Sequence, residues 1–182
     1  GAAEFEAQKS RHQLKERGQA VGIQHFNLDR VASSTFLSHR LVQWVSKEYG
    51  LAKSEALYNV LNRRHFEEGQ KLNDAAMLAE AAAEAGVDGA AAAAFMASDA
   101  GEAEIKRSQE MLRHMGVHSI PTFIIQGRYS LSGAAHAEEL GRLFREIEAS
   151  GEEGEPVFAP ILGIPPERVE EGLPLIAAAA QQ

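Results

Sequence analysis

Apolar residues recur at the helical period over most of the first 115 residues, and the texture changes only at Gly116. Glu4 to Arg17 is polar and helix-favouring, with Gly18 as its expected stop. Val21 to Leu28 reads as either a strand or an extended linker. Ser33 or Ser34 is expected to cap a helix with Leu37, Leu41, Trp44 and Val45 on one face, Lys47 near its end and Gly50 closing it. Ser54 is expected to open the next helix, with Leu57, Val60, Leu61 and Phe66 on one side and Gly69 after it. Asn73 or Asp74 caps a third, carrying Met77, Leu78, Ala81, Ala82 and Ala85 up to Gly86. Asp88 opens a short alanine-rich helix to about Ala97. Asp99 and Glu102 then suggest a variant capping box for a helix to Met115.

After Gly116 the pattern is that of strands. Ile120 to Gln126 is short, β-branched and apolar, Gln126-Gly127-Arg128 makes a turn, and Tyr129 to Ser132 returns. Phe123 and Ile125 fall on one face and Ile124 on the other, so both faces ask for cover. Gly133 leads into a helix with Leu140, Leu143, Phe144 and Ile147 together. Ser150 to Pro160, rich in Gly, Glu and Pro, reads as a linker, and Pro166 suits the first turn of a short helix. Leu173 to Gln182 is an apolar, alanine-rich tail, and no internal repeat is visible.

Composition narrows the function classes. The chain has 182 residues, 45% hydrophobic and 24% charged, which suits one globular domain, with or without an appendage. A net charge of -8 with scattered Lys and Arg disfavours binding to nucleic-acid phosphates. No apolar run approaches the roughly 20 residues of a membrane span. Zero cysteines exclude, within this chain, a disulfide framework, a thiolate metal site and a cysteine nucleophile. Gly1 stands in place of Met, so a processed, tagged or incomplete chain is expected, and no signal peptide is visible.

Candidate chemistry is sparse. His114 and His118 are four apart, but Gly116 is expected to end the helix between them. His12, His25, His39, His65 and His136 stand alone, which favours solvated or singly hydrogen-bonded histidines over metal ligands. Glu67, Glu68 and the run Glu146, Glu148, Glu152, Glu153 and Glu155 read as a solvated face and an acidic linker rather than acid–base machinery. There is no Gly-x-Ser-x-Gly elbow and no phosphate-binding glycine loop. Ser130 and Ser132 are expected to bond locally, and Phe36, Trp44 and Phe66 are core candidates.

Pro121 is the distinctive residue. Proline has no N–H, so at a strand start it interrupts the ladder and leaves a backbone edge open. Its preceding bond also reaches cis far more cheaply than other peptide bonds. The segment Gly116 to Ala134 (Gly-Val-His-Ser-Ile-Pro-Thr-Phe-Ile-Ile-Gln-Gly-Arg-Tyr-Ser-Leu-Ser-Gly-Ala) resembles the DsbA-like thioredoxin-fold family, and within it the FrnE-type branch. Ser34-Thr35 with His39-Arg40 resembles that family's insertion-helix signature. His65 to Gly69, followed by Leu72 to Asp74, resembles the segment leading to the next helix. The similarity spans about residues 5 to 147.

The resemblance implies an α-rich α/β fold: the C-terminal half of a thioredoxin fold, ββα with a cis proline, carrying a helical insertion. Residues 1–149 would form this domain, with the insertion at about 30–115 and ββα at 116–149; residues 150–182 would be linker and extension. It implies that Ser119, Ile120 and Pro121 present backbone groups to an extended peptide by strand addition. His39 and Arg40 are a secondary candidate for meeting an anion nearby, against a plain reading as a surface helix pair.

The family's strand–Cys-x-x-Cys–helix unit has no counterpart in this sequence, so the sheet edge would need a partner protein, a second chain or an N-terminal segment. Three functions follow. The chain is a redox-inactive structural or protein-interaction subunit; or an N-terminally incomplete FrnE-type disulfide oxidoreductase; or, third, a glutathione-dependent isomerase or transferase of the kappa-like branch. No cofactor, metal, catalytic residue in this chain or membrane partner is expected, and an intracellular setting, cytoplasmic or organellar matrix, is favoured.

Overall fold

Short-range capping chemistry sets where several helices begin in the computed structural model, which describes residues 13–154 and 157–169. The chain divides into two compact units, Gly1–Ala100 and Gly101–Gln182.

The first unit is helical. Helix α1, Leu14–Ala20, runs through Gly18 rather than stopping there. A glycine inside a helix costs about 1 kcal/mol without breaking it. Here the chain turns away just beyond, at Gly22 with φ 86°. Val21 to Leu28 forms no strand and follows the linker alternative. Helix α2, Phe36–Tyr49, starts after Thr35. Of the two serines expected to cap it, Ser34 Oγ accepts from the Phe36 N–H at 3.4 Å, while Ser33 Oγ is committed elsewhere, to the Leu72 N–H at 3.0 Å.

Helix α3, Leu51–Asn62, opens directly after Gly50 and not at Ser54, which lies buried inside it. Gly50, at φ 85°, absorbs the joint that lets one helix follow another with no loop. A π-helical turn, Arg63–Glu67, continues α3 where ordinary helix was expected to reach Phe66. Helix α4, Ala75–Glu84, is capped by Asp74 rather than Asn73: the carboxylate accepts from Ala76 and Met77 N–H at 3.0 and 3.2 Å. Asp88 caps α5, Gly89–Met96, in the same way at 2.8 and 3.1 Å.

The core of this unit joins Leu41 and Val45 of α2, Leu57 and Leu61 of α3, Leu78, Ala81 and Ala82 of α4, and Ala92 of α5. Each fully buried leucine contributes on the order of 2 kcal/mol. Small residues bring α4 and α5 close: a Cβ at Gly89 would sit 3.1 Å from the Ala79 carbonyl oxygen. Trp44 is partly buried and stacks on Phe95 with centroids 5.1 Å apart.

The second unit opens with α6, Glu102–His114. The Asp99–Glu102 box does not form. Gly101 is the N-cap at φ 79°, and the Glu102 carboxylate accepts from Lys106 Nζ at 3.1 Å instead. Strands β1, Thr122–Ile125, and β2, Tyr129–Ser132, pair antiparallel with Thr122 opposite Ser132 and Ile125 opposite Tyr129. Positive φ at Gln126 (52°) and Gly127 (68°) makes the tight turn between them.

Helix α7, Ala137–Ser150, follows, ending at Gly151. The expected linker is not free at its start, since Arg128 pairs with Glu152 and Gln126 Nε2 donates to the Glu152 carbonyl at 3.2 Å. It also contains a short helix α8, Phe158–Ile161. Pro166 begins a helical turn at 166–169, and the tail from Leu173 lies outside the described residues.

No hydrophobic side chain in the second unit is fully buried among the described residues. Leu140, Leu143 and Ile147 are half-buried and Phe144 is 52% exposed. The sheet has two strands, so the outer edge of β1 carries no further strand among the described residues. The fold is an α-rich α/β: the ββα half of a thioredoxin fold, preceded along the chain by a helical insertion. No described helix is long and apolar enough to cross a membrane.

Candidate functional site

The entry to β1 is held by short bonds around a bare residue. The Ile120–Pro121 peptide bond is cis. Pro121, without an N–H, offers its carbonyl to the Gly133 N–H at 2.9 Å, where φ 87° requires glycine. Ser119 is fastened twice: its carbonyl accepts from Thr122 Oγ1 at 2.7 Å, and its hydroxyl meets the Ser132 hydroxyl at 3.0 Å. Ser132 thus reaches Ser119, 13 residues away in sequence. Between these anchors Ile120 is 93% exposed and makes no hydrogen bond to the described residues. A fixed, unpaired backbone beside an open strand edge can accept an extended chain by strand addition.

His39 and Arg40 belong to the other unit. The surface-pair reading is wrong for Arg40, which is 4% exposed. Its Nη2 donates to the carbonyls of Ser98 and Ala100 at 2.5 and 2.8 Å, its Nε to Ala100 at 3.0 Å, and its guanidinium lies 5.4 Å from the Phe95 ring. That arrangement satisfies carbonyls beyond α5, where the chain leaves the helix. His39, one residue earlier, turns outward and is exposed, but it lines a small pocket where desolvation holds its pKa below the ordinary value.

The remaining titratable residues follow structural roles. His65 is buried and its Nδ1 lies 2.8 Å from the Gln70 carbonyl; His114 Nδ1 lies 2.8 Å from that of Glu110. No group of three His, Asp or Glu arranged for a metal occurs among the described residues. Glu68 pairs with Arg63, while Glu84 takes both Arg63 and Arg64. The Arg64 hydrogen bond, backed by Arg63, holds the Glu84 carboxyl below the usual carboxylate value.

One constellation escaped the sequence reading. Arg30 stands 4.9 Å from both the Phe26 and Phe66 rings, which are themselves stacked with centroids 5.9 Å apart. The Asn27 N–H donates to the Phe66 carbonyl at 2.6 Å. Together they strap the segment before α2 onto the π-helical turn. The one local sign was the Phe26-x-x-x-Arg30 spacing; Phe66 lies 36 residues further on.

No curated protein matches this chain. A family model described as DSBA-like thioredoxin domain matches residues 4–144, which takes in both the helices of the first unit and the cis-proline hairpin with most of α7. The chain therefore belongs to the DsbA-like thioredoxin family.

Proposed function

We propose that this chain is a FrnE-type DsbA-like protein with no thiol of its own, acting as a redox-inactive interaction subunit that docks extended polypeptide at Ser119, Ile120 and Pro121. In this reading residues 1–149 are the DsbA-like domain and 150–182 its extension. The observation that carries it is Ile120, 93% exposed at an open strand edge, in a sequence of 182 residues without cysteine. The edge recognises main chain, so affinity comes from backbone hydrogen bonds and selectivity from alternate side chains. The test is amide NMR of the full chain titrated with a ten-residue peptide of alternating apolar residues. Saturable shifts at Ser119, Ile120 and Thr122 support the reading; shifts confined to other residues, or none at millimolar peptide, remove it.

A second reading has its own support. Helix α7 buries none of its residues fully, and the sheet has two strands among the described residues. An additional strand–Cys-x-x-Cys–helix unit would cover both and supply the dithiol of a FrnE-type disulfide oxidoreductase. Intact-mass measurement of the natural protein separates the two: a mass of 19.7 kDa ends the oxidoreductase reading.

A further inference from the structure

Where α2 passes α3 and the π-helical turn, the first unit leaves a pocket of about 160 Å³. Its inner wall is apolar, formed by Val42, Leu61, Phe66 and Leu72. The size decides much: an apolar protein cavity of about 150 Å³ holds one benzene ring. Drug-sized ligands need roughly twice that volume or more. Phe66 arrives from the π-helical turn, a helix irregularity that recurs at functional sites.

Five polar side chains line the same pocket, Thr35, Ser38, His39, Tyr58 and Asn62, and the Ser38 hydroxyl is already committed to the Thr35 carbonyl at 2.9 Å. The side chains of His39, Tyr58 and Asn62 make no hydrogen bond to a described residue, although Arg63 and Arg64 next in sequence pair with carboxylates. An imidazole, a phenol hydroxyl and a carboxamide together offer both donors and acceptors. No Lys, Arg, Asp or Glu lines the pocket. Desolvation lowers the His39 pKa from its ordinary value. A charged ligand would lose its hydration here without gaining a counter-ion, so the pocket selects a neutral one.

We propose that this pocket binds a neutral, ring-sized molecule carrying one hydroxyl, the phenol class, with its ring on Val42, Leu61, Phe66 and Leu72 and its hydroxyl among His39, Tyr58 and Asn62. The aromatic wall favours a flat ring over an aliphatic chain, since offset or edge-on ring pairs gain beyond their buried area. The same chemistry is found in a free small phenol and in a tyrosine side chain of a polypeptide.

The test is imidazole NMR of the full chain, with the His39 signal identified by its loss in His39→Gln. Titration with p-cresol is expected to move that signal saturably. Toluene, which lacks the hydroxyl, should bind three- to tenfold more weakly, the worth of one hydrogen bond. Benzoate should bind more weakly still. Val42→Phe fills the pocket and should weaken p-cresol at least tenfold while circular dichroism stays unchanged. Asn62→Leu, at the rim, gives an independent loss of three- to tenfold should Val42→Phe not fold. N-acetyltyrosinamide identifies the source: affinity equal to p-cresol points to a polypeptide side chain, and binding by p-cresol alone to a free phenol. Equal affinity for toluene and p-cresol, or no shift at His39, would overturn the assignment.

Discussion

Arg40 and Ala100 are joined by two hydrogen bonds across 60 residues, both from one guanidinium to one carbonyl, at 2.8 and 3.0 Å. The same guanidinium takes the Ser98 carbonyl, so the end of the first unit is sealed by a single buried side chain. Replacement with methionine leaves carbonyls without their donor at a cost of about 1–3 kcal/mol each. With two carbonyls affected, Arg40→Met should therefore lower unfolding stability by about 2–6 kcal/mol in urea titrations. Arg40→Lys should recover little, because an ammonium cannot span both carbonyls with a planar fork. A lysine variant as stable as the parent would count against this role.

Arg30 predicts a local effect rather than a global one. Removing it with Arg30→Gln deletes contacts to two rings, worth about 1–2 kcal/mol. The strap from Phe26 to Phe66 should loosen, and the Asn27 amide should exchange faster with deuterium. Unchanged protection at Asn27 would show that its bond to Phe66 holds without the arginine.

Two neighbouring residues separate capping from mere polarity. Asp74→Ala removes the acceptor for the Ala76 and Met77 N–H groups and should cost about 1 kcal/mol. Asn73→Ala should lie within about 0.5 kcal/mol of the parent, as surface substitutions do. Thermal unfolding of the two variants side by side reads the difference.

His39 makes stability depend on pH. Its folded pKa lies below the ordinary 6.5, so between those two values the unfolded chain binds more protons than the folded one. Stability rises with pH wherever the unfolded state holds the extra proton. The contribution is thus complete above about pH 6.5 and falls as pH drops, levelling off once the folded imidazole also protonates. Urea midpoints from pH 7.5 to 5 should show a decline that is shallower in His39→Gln.

Ile120 should be dispensable for folding. At 93% exposure its replacement by aspartate is expected to change stability by no more than about 0.5 kcal/mol. Peptide binding, read from the amide shifts of Ser119 and Thr122, should drop at least tenfold if the edge is the docking site. Retained binding with normal stability would move the site elsewhere.

Much of the helical unit was legible because its signals are local. Leu41, Val45, Leu57, Leu61, Leu78 and Ala81 share helical faces and all lie in the core. Asp74 and Asp88 act within three residues of their own positions. Where local signals misled, a competing bond was close by: Glu102 bonds forward to Lys106, and Gly50 lets α3 begin before Ser54.

By itself the sequence determined the helix periods, the hairpin at Gln126 and Gly127, the absence of a thiol, and the family wording around Pro121, because each depends on neighbours along the chain. Tertiary structure alone decided that Ser33 serves Leu72, that Arg40 is buried under Ala100, that Arg30 sits between Phe26 and Phe66, and that His39 shares a pocket with Tyr58 and Asn62. Most of those partners lie 19 to 60 residues apart, and no periodicity or propensity reports which distant group will come to fill a given space.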